Sequence, residues 1–356
     1  MTELVEVQER KPLSRQDFVS DQTVRWCPGC GDYAILATMQ RVLPELGIAR
    51  ENIVFVSGIG CSSRFPYYMN TYGVHSIHGR APTVATGLNL ANPDLTIFVI
   101  TGDGDGLSIG GNHLLHVCRR NVNVNIILFN NRIYGLTKGQ YSPTSVRGQK
   151  TKSTPMGSVE VGLNPISVAI AAEATFVARA VDVQTKHLGE VLQQAVAHRG
   201  VSFVEVLQNC NIFNDKAWEY LTAPEIRDDR QLMLIDGEPM VFGKQKDKGI
   251  RINGSLPEVV SLDEVPVDDI LVHDARLGTS HLAYMLSRMD YPDHPVPMGV
   301  FRAVEEPTYA ESVMEQVEQA VAKKGRGSLE GLFSAAETWT VGPRNGASGN
   351  GARARG

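Results

Sequence analysis

The sequence predicts an α/β protein built on a doubly wound, mostly parallel sheet, followed by a C-terminal extension. Three observations carry that reading. Short apolar runs alternate with helix-like segments up to about residue 210. The runs are apolar nearly throughout, as strands covered on both faces must be. The polar, glycine-rich stretches follow directly after the runs, where a parallel sheet gathers its loops on one edge.

Taken in order, "NIVFV" (52–56), "LTIFVI" (95–100), "VNVNIILF" (122–129) and "VSFVEVL" (201–207) are the expected strands. Residues 32–46 put Ile35, Leu36, Met39, Val42 and Leu43 on one side of a helix. Residues 81–91, 107–119 and 187–198 are further expected helices. After about residue 225 the texture changes to polar, turn-rich sequence such as "FGKQKDKGIRINGS" (242–255). Two helices are expected there: "HLAYMLSRM" (281–289), and 307–324, where Thr308 and Glu311 have capping-box spacing. The expected division is a sheet domain over 1–225, an extension over 226–325 that packs on the core or a partner subunit, and a tail over 326–356. The last fifteen residues, "GPRNGASGNGARARG", read as disordered.

Composition narrows the function classes. The chain has 356 residues, 42% hydrophobic and 21% charged, with a net charge of −5, which argues against broad nucleic-acid binding. No apolar run is long enough to span a membrane. The opening "MTELVEVQERKPLSRQDF" lacks the apolar core of a secretion signal. A cytoplasmic location is expected, and there five cysteines are poor candidates for structural disulfides. "WCPGCG" (26–31) holds two of them as Cys27 and Cys30. Taken alone, that spacing fits a redox pair, half a zinc site or half an iron–sulfur site.

Four polar loops follow the four strands: "SGIGCSSR" (57–64), "TGDGDG" (101–106), "NNRIYG" (130–135) and "QNC" (208–210). The second is neither a dinucleotide fingerprint, because Leu107 and Ile109 stand where the third glycine belongs, nor a P-loop. Leu107 at the fifth position also excludes a calcium loop. What remains is a glycine-flanked carboxylate, Asp103, with Asn131 beyond the next strand. These are oxygen donors of the kind Mg²⁺ takes, and Mg²⁺ so placed holds phosphates.

Gly102-Asp103-Gly104, twenty-five residues and then Asn130-Asn131 resembles the thiamine diphosphate signature. That resemblance implies that Asp103, Asn131 and the carbonyl of Ile133 hold Mg²⁺, with Gly60, Asp105 and Arg80 near the cofactor. "WCPGCGDYAIL", "SGIGCSSR", "HGRAPTVATGLNLANPDL", "GDGDGLSIGGNHLLH" and "NNRIYGLTKGQYSPTS" are similar to the β subunits of 2-oxoacid:ferredoxin oxidoreductases, especially the 2-oxoglutarate members. The family likeness, along most of residues 15–225, implies a diphosphate-type thiamine domain and a [4Fe–4S] cluster on Cys27, Cys30, Cys61 and Cys210. Four thiolates suit such a cluster. The remaining Cys118 falls within a helical segment and reads as buried.

The reaction implied by the resemblance joins a 2-oxoacid, CoA and oxidised ferredoxin to give acyl-CoA, CO₂ and reduced ferredoxin, and is reversible in principle. Lys138, just past the magnesium loop, is a candidate for a distal substrate carboxylate, with Arg64 second. His78 is a candidate for proton transfer and Arg80 for phosphate. Only one α/β domain is visible. A separate α subunit is therefore expected to carry the pyrimidine-binding domain. Alternatives are pyruvate or broad specificity, a thiamine diphosphate decarboxylase or carboligase without electron transfer, and a zinc-stabilised module.

Overall fold

The structure, a computed structural model, describes residues 12–339. The last fifteen residues, expected to be disordered, lie outside that range. In chain order the strands are β1 Ile53–Ser57, β2 Tyr72–His75, β3 Thr96–Gly102, β4 Asn125–Asn130, β5 Phe176–Val181, β6 Ser202–Leu207, β7 Gln231–Leu234, β8 Val241–Phe242, β9 Lys248–Asn253, β10 Leu256–Ser261 and β11 Val296–Ala303. Eight of them form one sheet in the order β2-β1-β3-β4-β6-β5-β11-β7, and β10-β9-β8 form a second. Every neighbouring pair from β2 to β5 is parallel. β11 runs antiparallel to β5 and parallel to β7. The sheet is thus mostly parallel, as expected.

The central strands are apolar on both faces because each face has its own core. Ile97 and Val99 of β3 pack with Ile126 and Leu128 of β4, while Phe98 and Ile100 pack with Ile127 and Phe129 on the other side. This is the two-residue side-chain period of a strand. The helices Ala81–Ala91, Gly111–Arg119 and Pro165–Ala171 cover the first face. Asp32–Glu45 and Thr185–Ala197 cover the second, the former through the apolar stripe Ile35, Leu36, Met39, Val42 and Leu43. Cys118 is buried within the first core. The Thr308–Glu311 capping box forms: the Thr308 N–H donates to Glu311 Oε2 at 3.0 Å, and the Glu311 N–H to Thr308 Oγ1 at 3.4 Å.

Several elements depart from the sequence expectation. The helix expected from residue 107 begins at Gly111; before it, Asp105–Ile109 is a wide π-type turn. Glycines 104, 106, 110 and 111 weaken helix there, and such turns recur at functional sites. β5, "FVARAV", is a fully buried strand interrupted by Arg179. Its charge is met by Glu205 on β6, Nε to Oε2 at 2.6 Å. The segment after residue 225 supplies β7 and β11 to the main sheet. Pro297 and Gly299 mask β11, since both residues disfavour sheet interiors.

The chain forms two compact units, one running through Glu311 and one beginning at Ser312. Among the described residues, no helix is long and apolar enough to cross a membrane.

Candidate active site

β1, β3, β4 and β6 are parallel, so the loops after them gather at one sheet edge. β2 and β3 lie on opposite sides of β1, which opens a crevice between the loops after β1 and β3. A cavity of about 460 Å³ occupies it, lined among others by Gly60, Cys61, His78, Gly102, Asp103, Asn131 and Ile133. Gly104 is packed so closely under Tyr134 that a Cβ would fall 2.2 Å from the ring, so no larger residue fits.

Asp103 is buried at the end of β3. Ser142 and Thr144 hydroxyls both donate to its Oδ2 at 2.5 Å. Burial pushes its carboxyl up to about 6, against the downward pull of those hydroxyls. Asn131 Oδ1 accepts the Ile133 N–H at 3.1 Å, an Asx turn that bends the loop after β4. An amide oxygen has a second lone pair left for a cation. Asp32, Asp103 and Asp105 line the cavity, and no Lys or Arg does among the described residues. A phosphate entering so acidic a space needs a cation beside it, which fits Mg²⁺ with diphosphate.

Asp105 lines the same cavity, with its oxygens already bonded within the protein. Its Oδ1 accepts from Ile59 N–H (3.0 Å), Gly79 N–H (2.7 Å) and His78 Nδ1 (2.6 Å), and its Oδ2 from Thr101 (2.7 Å). Its oxygens are taken up in tying three loops together. Because a carboxylate only accepts, His78 Nδ1 carries the hydrogen, and in the neutral ring Nε2 is the acceptor. Arg80 lies away from the cavity lining, its guanidinium donating to the Ile109 carbonyl at 3.3 Å.

A second cavity, about 220 Å³, is lined by Cys27, Cys30, Cys61 and Cys210 together with Arg25, Arg64 and Lys138. Hydrogen bonds cross-tie the cysteine loops. Trp26 Nε1 donates to the Cys61 carbonyl (2.7 Å), Asn211 Nδ2 to the Pro28 carbonyl (2.7 Å), and the Gly31 N–H to the Asn209 carbonyl (3.2 Å). Gly135 closes the gap between two of the thiols: a Cβ there would lie 3.4 Å from Cys61 Sγ and 3.6 Å from Cys210 Sγ. Burial, then the Asp32 carboxylate, pushes the Cys30 thiol far up and the Cys61 thiol up to about 12, with Arg64 opposing at Cys61. Among the described residues no three Cys, His, Asp or Glu side chains converge on a single-ion point. The thiols line a space instead. Asp32 Oδ2, Gln208 Oε1 and Asn211 Oδ1 are buried around it without hydrogen-bond partners. Four thiols from three loops, with three cations to offset their charge, fit an iron–sulfur cubane.

The two cavities share a wall: Asp32, Cys61, Asn131, Gly135 and Leu136 line both.

Comparison with known proteins agrees with this geometry. Residues 58–206 match the thiamine pyrophosphate enzyme, C-terminal TPP binding domain, a span running from the end of β1 to β6. A 2-oxoglutarate oxidoreductase subunit KorB from Mycobacterium tuberculosis is 54% identical over 93% of this chain and 89% of that relative. The chain belongs to the 2-oxoacid oxidoreductase β-subunit family. A 2-oxoacid:ferredoxin oxidoreductase subunit beta from Aeropyrum pernix is 46% identical over 63% of this chain and 70% of its own length. The solved 2-oxoglutarate:ferredoxin oxidoreductase from Magnetococcus marinus, with 2-oxoglutarate, coenzyme A and succinyl-CoA bound, aligns with TM-score 0.74 and 32% identity, covering 93% of this chain and 98% of that one. As a family member this chain carries a thiamine diphosphate-binding domain and is a subunit that works with a partner.

Sequence reasoning missed Asp32, Ser142, Thr144 and Gly135 as parts of the site. All four lie inside stretches that carry the family resemblance. Their roles depend on contacts between loops far apart in sequence, which no local spacing reveals.

Proposed function

We propose that this chain is the β subunit of a 2-oxoglutarate:ferredoxin oxidoreductase. Together with an α subunit it converts 2-oxoglutarate, CoA and oxidised ferredoxin into succinyl-CoA, CO₂ and reduced ferredoxin. The observation that carries the reading is the wall of five residues common to the cysteine-lined and the Asp103-lined cavities. A decarboxylase or carboligase has no use for four thiols beside its cofactor, and a zinc module has no use for the acidic cavity next door.

When bound, thiamine diphosphate supplies the electron sink, Mg²⁺ the clamp on its phosphates, and a [4Fe–4S] cluster the one-electron relay. In this reading Asp103, Asn131 and the Ile133 carbonyl hold the magnesium, with Gly60, Gly102 and Gly104 keeping the cavity rim clear of side chains. Ser142 and Thr144 fix the Asp103 carboxylate in one orientation. Cys27, Cys30, Cys61 and Cys210 hold the cluster, and Gln208 Nε2, 3.4 Å from Cys30 Sγ, donates to that sulfur. Asp105 orients His78 so that Nε2 faces as a proton acceptor. Lys138 attracts the distal carboxylate of the substrate, while Arg25 and Arg64 offset negative charge at the cluster. All proposed ligands fall before residue 225, and β7 and β11 from the segment after it extend the main sheet beyond β5. A cytoplasmic location is part of the same reading.

The test is reconstitution. Co-expressed with its α partner, the chain should reduce ferredoxin only when 2-oxoglutarate and CoA are both present. The chain alone should be inactive, since the described residues hold one α/β sheet domain and the pyrimidine-binding one is assigned to the partner. Turnover by the isolated chain, or release of free aldehyde without ferredoxin reduction, would refute the proposal.

A further inference from the structure

A third cavity, about 290 Å³, shares no lining residue with the two just described, although Thr144, which braces Asp103, lines it. It opens beside the ends of β4 and β6, and none of the cysteines lines it. Its walls carry four arginines, Arg132, Arg147, Arg179 and Arg288, against two carboxylates, Glu205 and Asp290. With all of these ionised the balance is two positive charges.

Arg179 is paired with Glu205, which leaves Arg132, Arg147 and Arg288 against Asp290. Glu205 is committed on both oxygens, to Arg179 Nε at 2.6 Å and to Asn130 Nδ2 at 2.7 Å. Asp290 sits exposed at the rim, where its Oδ1 accepts the N–H of Tyr291. The Arg132 guanidinium stacks over the Trp218 ring, 3.7 Å from its centre, and its buried Nε has no hydrogen-bond partner. Stacking on an aromatic face holds a guanidinium plane still while leaving its edge free to donate. Arg147 and Arg288 are exposed at the mouth, and neither forms an ion pair among the described residues.

We propose that this cavity binds a small phosphate monoester. Guanidinium forks from several directions match a tetrahedral dianion with several oxygens better than a flat monocarboxylate. The space is roughly ten times the ~30 Å³ that one water occupies, so it takes an organic portion as well as the phosphoryl group. Val161, Leu163 and Leu221 in the lining offer that portion an apolar side. The site is independent of the reaction proposed above.

The experiment is calorimetric titration of the full-length chain with its partner subunit, loaded with thiamine diphosphate and Mg²⁺ so that the acidic cavity is filled. The probes are glycerol 3-phosphate and inorganic phosphate. One saturable site per chain is expected for glycerol 3-phosphate. Arg147→Ala with Arg288→Ala should weaken it by about tenfold or more, the loss of charge-assisted hydrogen bonds. Both side chains are exposed, so the thermal midpoint should hold. Lys150→Ala with Lys152→Ala, on the same loop but outside the lining, should leave binding unchanged. Tighter binding of glycerol 3-phosphate than of phosphate supports the monoester. Equal binding overturns the organic portion. No saturable binding, or equal weakening by both variant pairs, overturns the site.

Discussion

The Asp103 cavity and the cysteine cavity share a wall but differ in how their carboxylates and amides are held. Around Asp103 the chain supplies its own partners: two hydroxyls brace Asp103, and four donors surround Asp105. Gln208 Oε1 and Asn211 Oδ1 go unpaired beside the cysteines and Ser62 Oγ beside Asp103, while Asp32, lining both spaces, is pushed up to about 7 by burial and by the nearby Asp182 carboxylate. A buried polar group without a partner costs about 1–3 kcal/mol. The carboxylates of the first cavity are thus fixed by donors of the chain itself, whereas on the cysteine side Gln208 and Asn211 keep acceptors free.

The sharpest break of that comparison is at the thiols. Cys27→Ser or Cys30→Ser should abolish the visible absorption of the cluster and ferredoxin reduction, a larger effect than the roughly 10–100-fold typical of outer ligands. Thiamine diphosphate and Mg²⁺ should still bind, measured by fluorescence titration. Loss of both groups at once would mean that the cavities are not separable. Asp103→Asn is the mirror variant. It should weaken Mg²⁺-dependent thiamine diphosphate binding by at least tenfold while the cluster spectrum stays unchanged.

A smaller effect is expected at Lys138, which lines the cysteine side. If it meets the distal carboxylate, Lys138→Ala should lower kcat/KM for 2-oxoglutarate by roughly 10–100-fold, the worth of a charged hydrogen bond of about 1.5–3 kcal/mol. Activity on pyruvate should change far less. Equal losses on the two substrates would assign Lys138 to the cluster's electrostatics instead.

The smallest expected effect lies outside both cavities and serves as their control. His273 is buried, and its Nε2 donates to the Val300 carbonyl at 2.7 Å. Burial lowers its pKa against the pull of that carbonyl, Asp236 and Asp274. A histidine lowered in the folded state stabilises fully above its unfolded value of about 6.5 and loses that contribution as pH falls through the folded value. Denaturant midpoints should therefore decline below about pH 6.5, and His273→Asn should flatten the decline. An unchanged decline in the variant would assign it to other groups, such as His187 or His198, whose pKa values burial also lowers.

Much of the acidic cavity was legible in the sequence because its parts are local. Asp103, Asn131 and Ile133 each stand at a strand end, and parallel strands bring strand ends together. The cysteines were legible by number and by the same strand ends, but their grouping needed Cys27 and Cys30 to be folded across from Cys210 by contacts over long sequence distances. Asp105 was expected near the cofactor from "GDGDG", but only the fold reveals the four donors aimed at it. β5 and β11 escaped notice for a related reason. Arg179 and Pro297 read as breaks in an apolar run, and only pairing with Glu205 and a place beside an antiparallel neighbour explain them.

One chain should hold a thiamine cofactor and a cubane on either side of a common wall. Anaerobic purification of the co-expressed complex, followed by elemental and cofactor analysis, tests it most directly. About four irons, four sulfides and one thiamine diphosphate per copy of this chain are predicted, once any iron held by partner chains is subtracted. Zinc in place of iron, or thiamine diphosphate with neither, would contradict it.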